Sequence, residues 1–144
     1  MRIVYLAFLL LIFTSCGQKI GSAEIIGKWR IYDVEADMPS LDKQEIRSYE
    51  ILPIGKSHEF LKKGVYRYQT RLEEGIGKWK LEKNMLQLDY QRSSPVKSDL
   101  WQQSRFEFVS LVQDTLVWVE HYDFGSLTYY LEKITSSKVE SPEI

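Results

Sequence analysis

Cysteine and histidine are scarce in this sequence of 144 residues, and their scarcity excludes two kinds of stabilising chemistry. Cys16 is the only cysteine, so no disulfide can form within the chain and the fold must be stable through packing alone. The only histidines are His58 and His121, and no cluster of cysteine, histidine or carboxylate residues has the spacing of metal ligands. The sequence therefore predicts neither a disulfide framework nor a metal site.

Catalytic and phosphate-binding motifs are also missing from the sequence. It contains no Gly-x-Ser-x-Gly nucleophile turn and no glycine-rich loop that follows a strand and opens a helix. Glu73 and Glu74 are adjacent at a predicted turn, where we expect solvated carboxylates rather than an acid–base pair. We expect His58 and His121 to be solvated strand residues. The sequence thus predicts a non-enzymatic protein with no catalytic residue and no cofactor.

Neither sign of charge is in excess, because the sequence has 19 lysine and arginine residues and 20 aspartate and glutamate residues. Nucleic-acid binding requires a basic face, so this balance predicts no nucleic-acid partner. Aromatic residues are abundant, with nine tyrosines and four tryptophans. Aromatic and β-branched residues favour strands, so the composition indicates a β-rich globular domain.

The first sixteen residues have the pattern of a secretory signal. Arg2 gives a positive start, and residues 3–13 form an unbroken run of 11 apolar or aromatic residues. That run is too short for a permanent transmembrane helix but has the length of a signal-peptide core. Phe13-Thr14-Ser15-Cys16 resembles the lipobox of bacterial lipoproteins in its Bacteroidota form, with phenylalanine at the usual leucine position. We therefore interpret residues 1–15 as a lipoprotein signal peptide.

The lipobox resemblance implies a chemical role for Cys16 and a location for the protein. The Cys16 thiol would accept diacylglycerol and its freed amine a further acyl chain, and two or more chains anchor a protein stably. Residues 16–24 are then a lipidated flexible tether. Residues 17–21 lack the acidic cluster that resembles a surface-export signal, and Gln18 is not the aspartate that favours inner-membrane retention. These features predict a cell-envelope lipoprotein on the periplasmic face of the outer membrane.

From Ile25 onward the sequence alternates between short amphipathic segments and turns. Leu86, Leu88 and Tyr90 alternate with polar residues, for example, which is the period-two pattern of a strand with one solvated face. Residues 41–47 form the only predicted helical turn, with Ser40 as its cap. We expect residues 49–54 to be extended, 92–100 to be the longest loop and 135–144 to be a flexible tail. The other predicted strands are 27–35, 57–61, 65–72, 76–82, 85–91, 101–112, 115–123 and 126–134.

About eight strands joined by tight turns favour a meander that closes on itself, because closure removes the exposed edges. We therefore predict an all-β fold, an antiparallel up-and-down barrel over residues 25–134, with a two-sheet β-sandwich as the alternative. The alternation places on shared faces Trp29, Ile31 and Asp33 of the first strand, and Tyr66, Tyr68 and Leu72 of a later one.

One hexapeptide occurs twice, since residues 26–31 (IGKWRI) match residues 76–81 (IGKWKL). In each copy the glycine, Gly27 or Gly77, permits a tight bend at a strand start. The tryptophan, Trp29 or Trp79, is expected to point inward and plug one end of the barrel. A Gly-x-Trp sequence in the first strand resembles the lipocalin superfamily, in which a late arginine usually packs over this tryptophan. Lys133 is the nearest late cation in this chain.

The order of the motifs resembles the bacterial lipocalin-like lipoprotein domain over residues 25–134. The motifs are the lipobox, Gly27-x-Trp29, Phe60-x3-Gly64-x-Tyr66, Gly77-x-Trp79, Asn84-x-Leu86-x-Leu88, Asp114-Thr115-Leu116-Val117 and Tyr130-Leu131-x-Lys133. This resemblance implies a barrel that holds a small apolar or amphipathic molecule.

A barrel of eight strands is either filled by side chains or holds one small ligand, and periodicity leaves both open. The candidate ligand-lining residues are Tyr66, Tyr68, Tyr90, Trp118, Tyr122 and Tyr129. If these rings fill the barrel, the alternative function is a protein-interaction module, either an accessory subunit or an inhibitor of an envelope protein. The expected partners are thus the membrane, through the lipid anchor, and a small hydrophobic ligand or an envelope protein.

Overall fold

The structure is a computed structural model that describes residues 20–93 and 102–135. The described residues form two α-helices and eight strands. The helices are α1 (Ser22–Ile25) and α2 (Lys43–Ile51). The strands are β1 (Gly27–Asp37), β2 (Ser57–Leu61), β3 (Val65–Gln69), β4 (Glu74–Glu82), β5 (Met85–Ser93), β6 (Gln102–Val112), β7 (Thr115–Tyr122) and β8 (Gly125–Lys133).

Each strand pairs antiparallel with the next in sequence, and β8 pairs with β1 to close the barrel. Closure satisfies the backbone donors and acceptors that an open sheet would leave at its two edges. The predicted up-and-down barrel is therefore confirmed, and the two-sheet sandwich is not formed. β4 begins two residues earlier than expected and β5 ends two later, so part of the predicted loop 92–100 is strand. The rest of that loop lies outside the described residues.

Two predicted shared faces are wrong, each for a local reason. In β1 a register shift between Ile31 and Asp33 marks a bulge, after which Val34 rather than Asp33 points into the barrel. A bulge adds one residue to a strand and reverses the face of those that follow. Leu72 does not share the face of Tyr68, because β3 ends at Gln69 and Leu72 is exposed on the following turn.

The helix between β1 and β2 also differs from the expectation. It spans Lys43–Ile51 rather than 41–47, and residues 49–51, which were expected to be extended, belong to it. Its cap is Asp42 and not Ser40, because the Asp42 carboxylate accepts hydrogen bonds from the amides of Gln44 and Glu45 at 2.8 and 2.9 Å. The Glu45 carboxylate accepts in return from the Asp42 amide at 3.1 Å. This reciprocal capping box starts the helix two residues later than the sequence suggested.

The folded domain begins within the stretch that was expected to be tether. Ser22–Ile25 form the short helix α1, and the Ile25 side chain is fully buried. The first part of the predicted tether, including Cys16, lies outside the described residues, as do the predicted signal peptide and the tail from residue 136.

One end of the barrel is filled by the aromatic rings of Trp29, Phe60 and Trp79, and we call it the plugged end. The indole N–H of Trp29 donates to the carbonyl of Ile25 at 2.8 Å, and that of Trp79 donates to the carbonyl of Leu61 at 2.9 Å. Phe60 and Trp79 meet edge to face with their centroids 5.6 Å apart. Both buried indole N–H groups are thus satisfied, as buried tryptophans require.

The two glycines of the repeat lie in different parts of their strands. Gly27 opens β1 as expected, whereas Gly77 is the fourth residue of β4, so the expected position at a strand start is wrong for Gly77. A Cβ at Gly77 would lie 2.0 Å from the carbonyl oxygen of Asp89, so only glycine lets β4 and β5 pair here. Gly27 has a φ of 135°, a conformation that other residues rarely adopt. The Lys133 ammonium lies 5.4 Å from the centroid of the Trp29 ring, a cation–π distance. The late cation Lys133 therefore packs over the first tryptophan of the repeat.

Candidate ligand-binding cavity

A cavity of about 320 Å³ occupies the barrel interior towards the end opposite to the plugged end. Its outer boundary is formed by residues of two connections, 52–56 between α2 and β2, and 70–73 between β3 and β4. We call the barrel end at these two connections the mouth. The inner wall is formed by inward-facing strand residues, including Ile31, Leu88 and Phe106.

The structure places four of the six predicted lining residues at the cavity wall and two beside it. Tyr68 is buried, with its ring edge to face against that of Tyr90 at 5.1 Å. Tyr122 is partly buried and stacks on Phe124 at 5.3 Å. The four at the wall are Tyr66, Tyr90, Trp118 and Tyr129. The aromatic residues therefore do both things left open by the sequence, filling part of the barrel and lining the remaining space.

His58 was missed as a cavity residue, and the expectation that it is solvated is wrong. It is 3% exposed and points inward, because it shares the inner face of β2 with Phe60 two residues later. The register pairs it with Tyr68, another inward residue. The sequence held the information for this placement, because His58 lies two residues before Phe60 and therefore on the same face of the strand. His121, by contrast, is exposed on the outer face as expected, 3.1 Å from a carboxylate oxygen of Glu107.

His58 contacts two of the predicted aromatic residues. Its Nδ1 lies 2.7 Å from the Tyr66 hydroxyl, and its ring meets Trp118 edge to face at 5.2 Å. Burial, together with the charge of Lys56, holds the pKa of His58 well below its ordinary value, so the ring is neutral. The Nε2 atom has no hydrogen-bond partner among the described residues.

The hydrogen bond between His58 and Tyr66 leaves one donor over in either tautomer of the neutral ring. That donor is the Tyr66 hydroxyl if Nδ1 carries the proton, and Nε2–H if Tyr66 donates to Nδ1. The Nε2 atom itself is fully buried.

Lys56 precedes β2 directly and brings a positive charge to the mouth. Its ammonium lies 4.5 Å from the centroid of the Tyr68 ring. Burial lowers the pKa of Lys56 below its ordinary value, while the charge of Glu73 opposes this effect. No carboxylate of the described residues lies within ion-pair distance of the Lys56 amine.

Two carboxylates near the mouth have other partners. Glu120 accepts a hydrogen bond from the Tyr129 hydroxyl at 2.7 Å, and burial together with this carboxylate raises the pKa of Tyr129. Glu73 lies 3.9 Å from the guanidinium of Arg92. Glu73 was expected to be a solvated turn residue, and this is wrong, because it lines the cavity with its side chain 27% exposed.

Three apolar side chains, Leu52, Ile54 and Leu72, stand exposed at the mouth, and we call them the apolar lip. Leu52 is 82% and Leu72 93% exposed. All three border one surface groove of about 590 Å³ beside the cavity. Exposed apolar groups that are clustered rather than scattered mark an interaction surface.

Two searches of the described ranges bear on chemistry and location. Within residues 20–93 and 102–135, no three histidine, cysteine or carboxylate residues lie together in a way that could hold a metal ion. In the same ranges no helix has the length and apolar character needed to cross a bilayer.

Comparison with protein-family models, with curated proteins and with solved structures finds no match to this chain.

Proposed function

We propose that this protein is a membrane-anchored, lipocalin-like lipoprotein of the outer membrane that faces the periplasm. In this proposal it binds a small apolar or amphipathic molecule in its barrel and catalyses no reaction. Cys16 carries the lipid anchor, and the barrel from Ile25 onward is the binding domain.

The cavity of about 320 Å³ is the observation that supports ligand binding. Small-molecule sites are mostly concave spaces of roughly 300–1,000 Å³ with apolar and aromatic walls and a few polar groups. The walls here include five tyrosine, phenylalanine and tryptophan residues, and the polar groups include Lys56, His58 and the two mouth carboxylates. A barrel of eight strands has room for one small ligand of this kind.

Native mass spectrometry tests ligand binding on residues 16–144 carrying Cys16→Ser. This chain contains every core residue that the structure describes, from Ile20 to Leu131. We expect a small molecule to co-purify with the parent chain. Ser104→Phe should abolish its binding, because the new ring fills the cavity. Gln103→Phe should retain it, because residue 103 faces outward. Reproducible absence of any bound molecule from the parent chain would contradict ligand binding.

The lipid anchor is tested separately by Cys16→Ala in the full-length chain. We expect this variant to leave the membrane fraction and to lose labelling by radioactive palmitate, because the acyl-accepting thiol is gone. A variant that still fractionates with the outer membrane would overturn the anchoring proposal without affecting the binding proposal.

The apolar lip favours a second candidate function, a protein-interaction module that acts as an accessory subunit or inhibitor of an envelope protein. In that case Leu52→Ser combined with Leu72→Ser should abolish cross-linking to one defined partner while leaving small-molecule binding unchanged. Loss of the bound small molecule in the same variant would instead assign the lip to ligand entry.

A further inference from the structure

A surface groove of about 340 Å³ lies at the plugged end, where the described chain enters the barrel domain. The entering segment borders the groove through Ser22 and Ile26, and the other wall is formed by the β2–β3 turn and the end of β4. Three exposed lysines line this wall, Lys62, Lys63 and Lys80, and no carboxylate of the described residues lines the groove. We call it the basic groove.

Two of these three lysines have no ion-pair partner among the described carboxylates. Lys80 pairs with Glu82, whereas no carboxylate lies within ion-pair distance of Lys62 or Lys63. Lys83 adds a further exposed cation at the tip of the neighbouring β4–β5 hairpin. Positive charge is therefore concentrated where these two hairpins end.

Two other acidic residues of the plugged end do not neutralise this charge. Asp114 stands on the β6–β7 turn, four strands around the barrel from the β2–β3 turn. Glu24 accepts a backbone hydrogen bond within its own helical turn. The mouth differs, because there Glu73 and Glu120 lie beside Lys56. An anionic surface is therefore attracted to the plugged end at the β2–β3 and β4–β5 hairpins, not to the mouth.

The proposed lipid anchor brings this end of the barrel to a surface that can carry negative charge. Cys16 is six residues before Ser22, and six residues span at most about 22 Å. Anionic phospholipids present phosphate oxyanions at the bilayer surface, and these attract lysines within a screening length of about 10 Å. Met85 follows the β4–β5 turn and is 43% exposed, which adds an apolar group at the same surface.

We propose that the plugged end docks onto anionic phospholipid head groups of the bilayer, with Lys62, Lys63 and Lys83 as the contacting cations. This inference rests on the proposed anchoring and adds to it a second, electrostatic contact. An anchor alone leaves the barrel free to rotate on its tether, whereas this contact fixes its orientation with the mouth away from the bilayer.

Lysine labelling on vesicles tests the inference with residues 16–144 coupled through the Cys16 thiol to a maleimide-bearing lipid. Cys16 is the only cysteine, so coupling is confined to that position. The vesicles contain either phosphatidylcholine alone or equal parts of phosphatidylcholine and phosphatidylglycerol. We expect acylation of Lys62 and Lys63, read by mass spectrometry, to slow by about fivefold or more on the anionic vesicles. Acylation of Lys43, which is exposed on α2, should be the same on both.

Two double variants separate the basic groove from net charge. Lys62→Glu combined with Lys63→Glu should abolish the protection of Lys83 on the anionic vesicles. Lys43→Glu combined with Arg47→Glu changes the net charge equally, but on α2 at the other end of the barrel, and should leave Lys62 and Lys63 protected. If the two double variants reduce protection equally, the attraction is not local and the inference is wrong.

Salt and the apolar lip supply the remaining outcomes. At about 1 M salt the screening length falls to about 3 Å, so the protection should disappear. Equal labelling of Lys62 and Lys63 on the two kinds of vesicle would overturn the docking. So would protection that is lost in Leu52→Ser combined with Leu72→Ser, since the mouth would then be the contact. Because the lipid is attached chemically, these failures leave the anchoring proposal standing, which fractionation of Cys16→Ala tests by itself.

Discussion

The buried histidine predicts a pH dependence of stability that one substitution should remove. His58 is neutral in the folded protein, because burial and the charge of Lys56 lower its pKa well below 6.5. In the unfolded chain the ring is solvated and titrates near its ordinary value. Between these two pKa values the unfolded state binds more protons than the folded state. Stability is therefore lost as the pH falls from about 6.5 towards the folded pKa.

The size of the effect follows from the same linkage. Each pH unit within the window costs about 1.4 kcal/mol, so a fall from about pH 7.5 to about pH 5 should cost at most about 2 kcal/mol through His58 alone. His58→Gln should remove this increment, because an amide does not titrate. The variant loses ring packing against Trp118, so the slope with pH, not the absolute stability, is the quantity to compare.

Guanidinium unfolding followed by tryptophan fluorescence at several pH values measures the free energy of unfolding. The matched control is His121→Gln, since His121 is the second histidine and is exposed on the outer face. We expect the control to lose stability towards low pH with the same slope as the parent chain. If His58→Gln keeps the slope of the parent chain, or if His121→Gln removes it, the assignment of a neutral buried imidazole at position 58 is refuted.

Two further predictions concern the fold. Gly77→Ala should lower the free energy of unfolding by about 1–3 kcal/mol in a urea titration, because the new Cβ would clash with the backbone of β5. In the control Gly21→Ala the new Cβ meets only an ordinary contact at 3.5 Å, so the free energy of unfolding should change by less than about 0.5 kcal/mol. Equal effects of the two substitutions would disprove the close approach of β5 to Gly77. Asp42→Ala should cost about 1 kcal/mol through loss of the α2 cap, whereas Ser40→Ala should be nearly neutral in the same titration. A larger effect of Ser40→Ala would show that Ser40, and not Asp42, caps α2.

The fold could be predicted from the sequence because most strands have one core face and one solvated face. In β5, for example, Leu86, Leu88 and Tyr90 are buried, as the alternation indicated. The errors fall where a local hydrogen bond or a bulge overrides the pattern. The Asp42 capping box competes with the nearby Ser40, and nothing in the alternation of β1 marks the extra residue before Asp33.

The cavity could be predicted only in part, because alternation identifies faces but not the space between them. It placed Tyr66, Tyr90, Trp118 and Tyr129 in the interior, and all four lie at the cavity wall. His58 was missed because a histidine was expected to be solvated, although its spacing of two residues from Phe60 places it on the inner face. Whether inward rings meet or leave a space depends on closure of the barrel and on the loops at its ends, which no local pattern encodes.

The described chain enters the barrel domain at the end opposite to the cavity. Ser22 and Ile26 border the same surface groove as Trp79, so the chain enters the domain at the plugged end. Cys16 is four residues before Ile20, and four residues span at most about 14 Å. Under the proposed anchoring, the plugged end therefore lies next to the membrane and the mouth faces the aqueous periplasm. A ligand that reaches Lys56 then arrives from the periplasm, and what contacts the apolar lip is a molecule on that side rather than the anchoring bilayer.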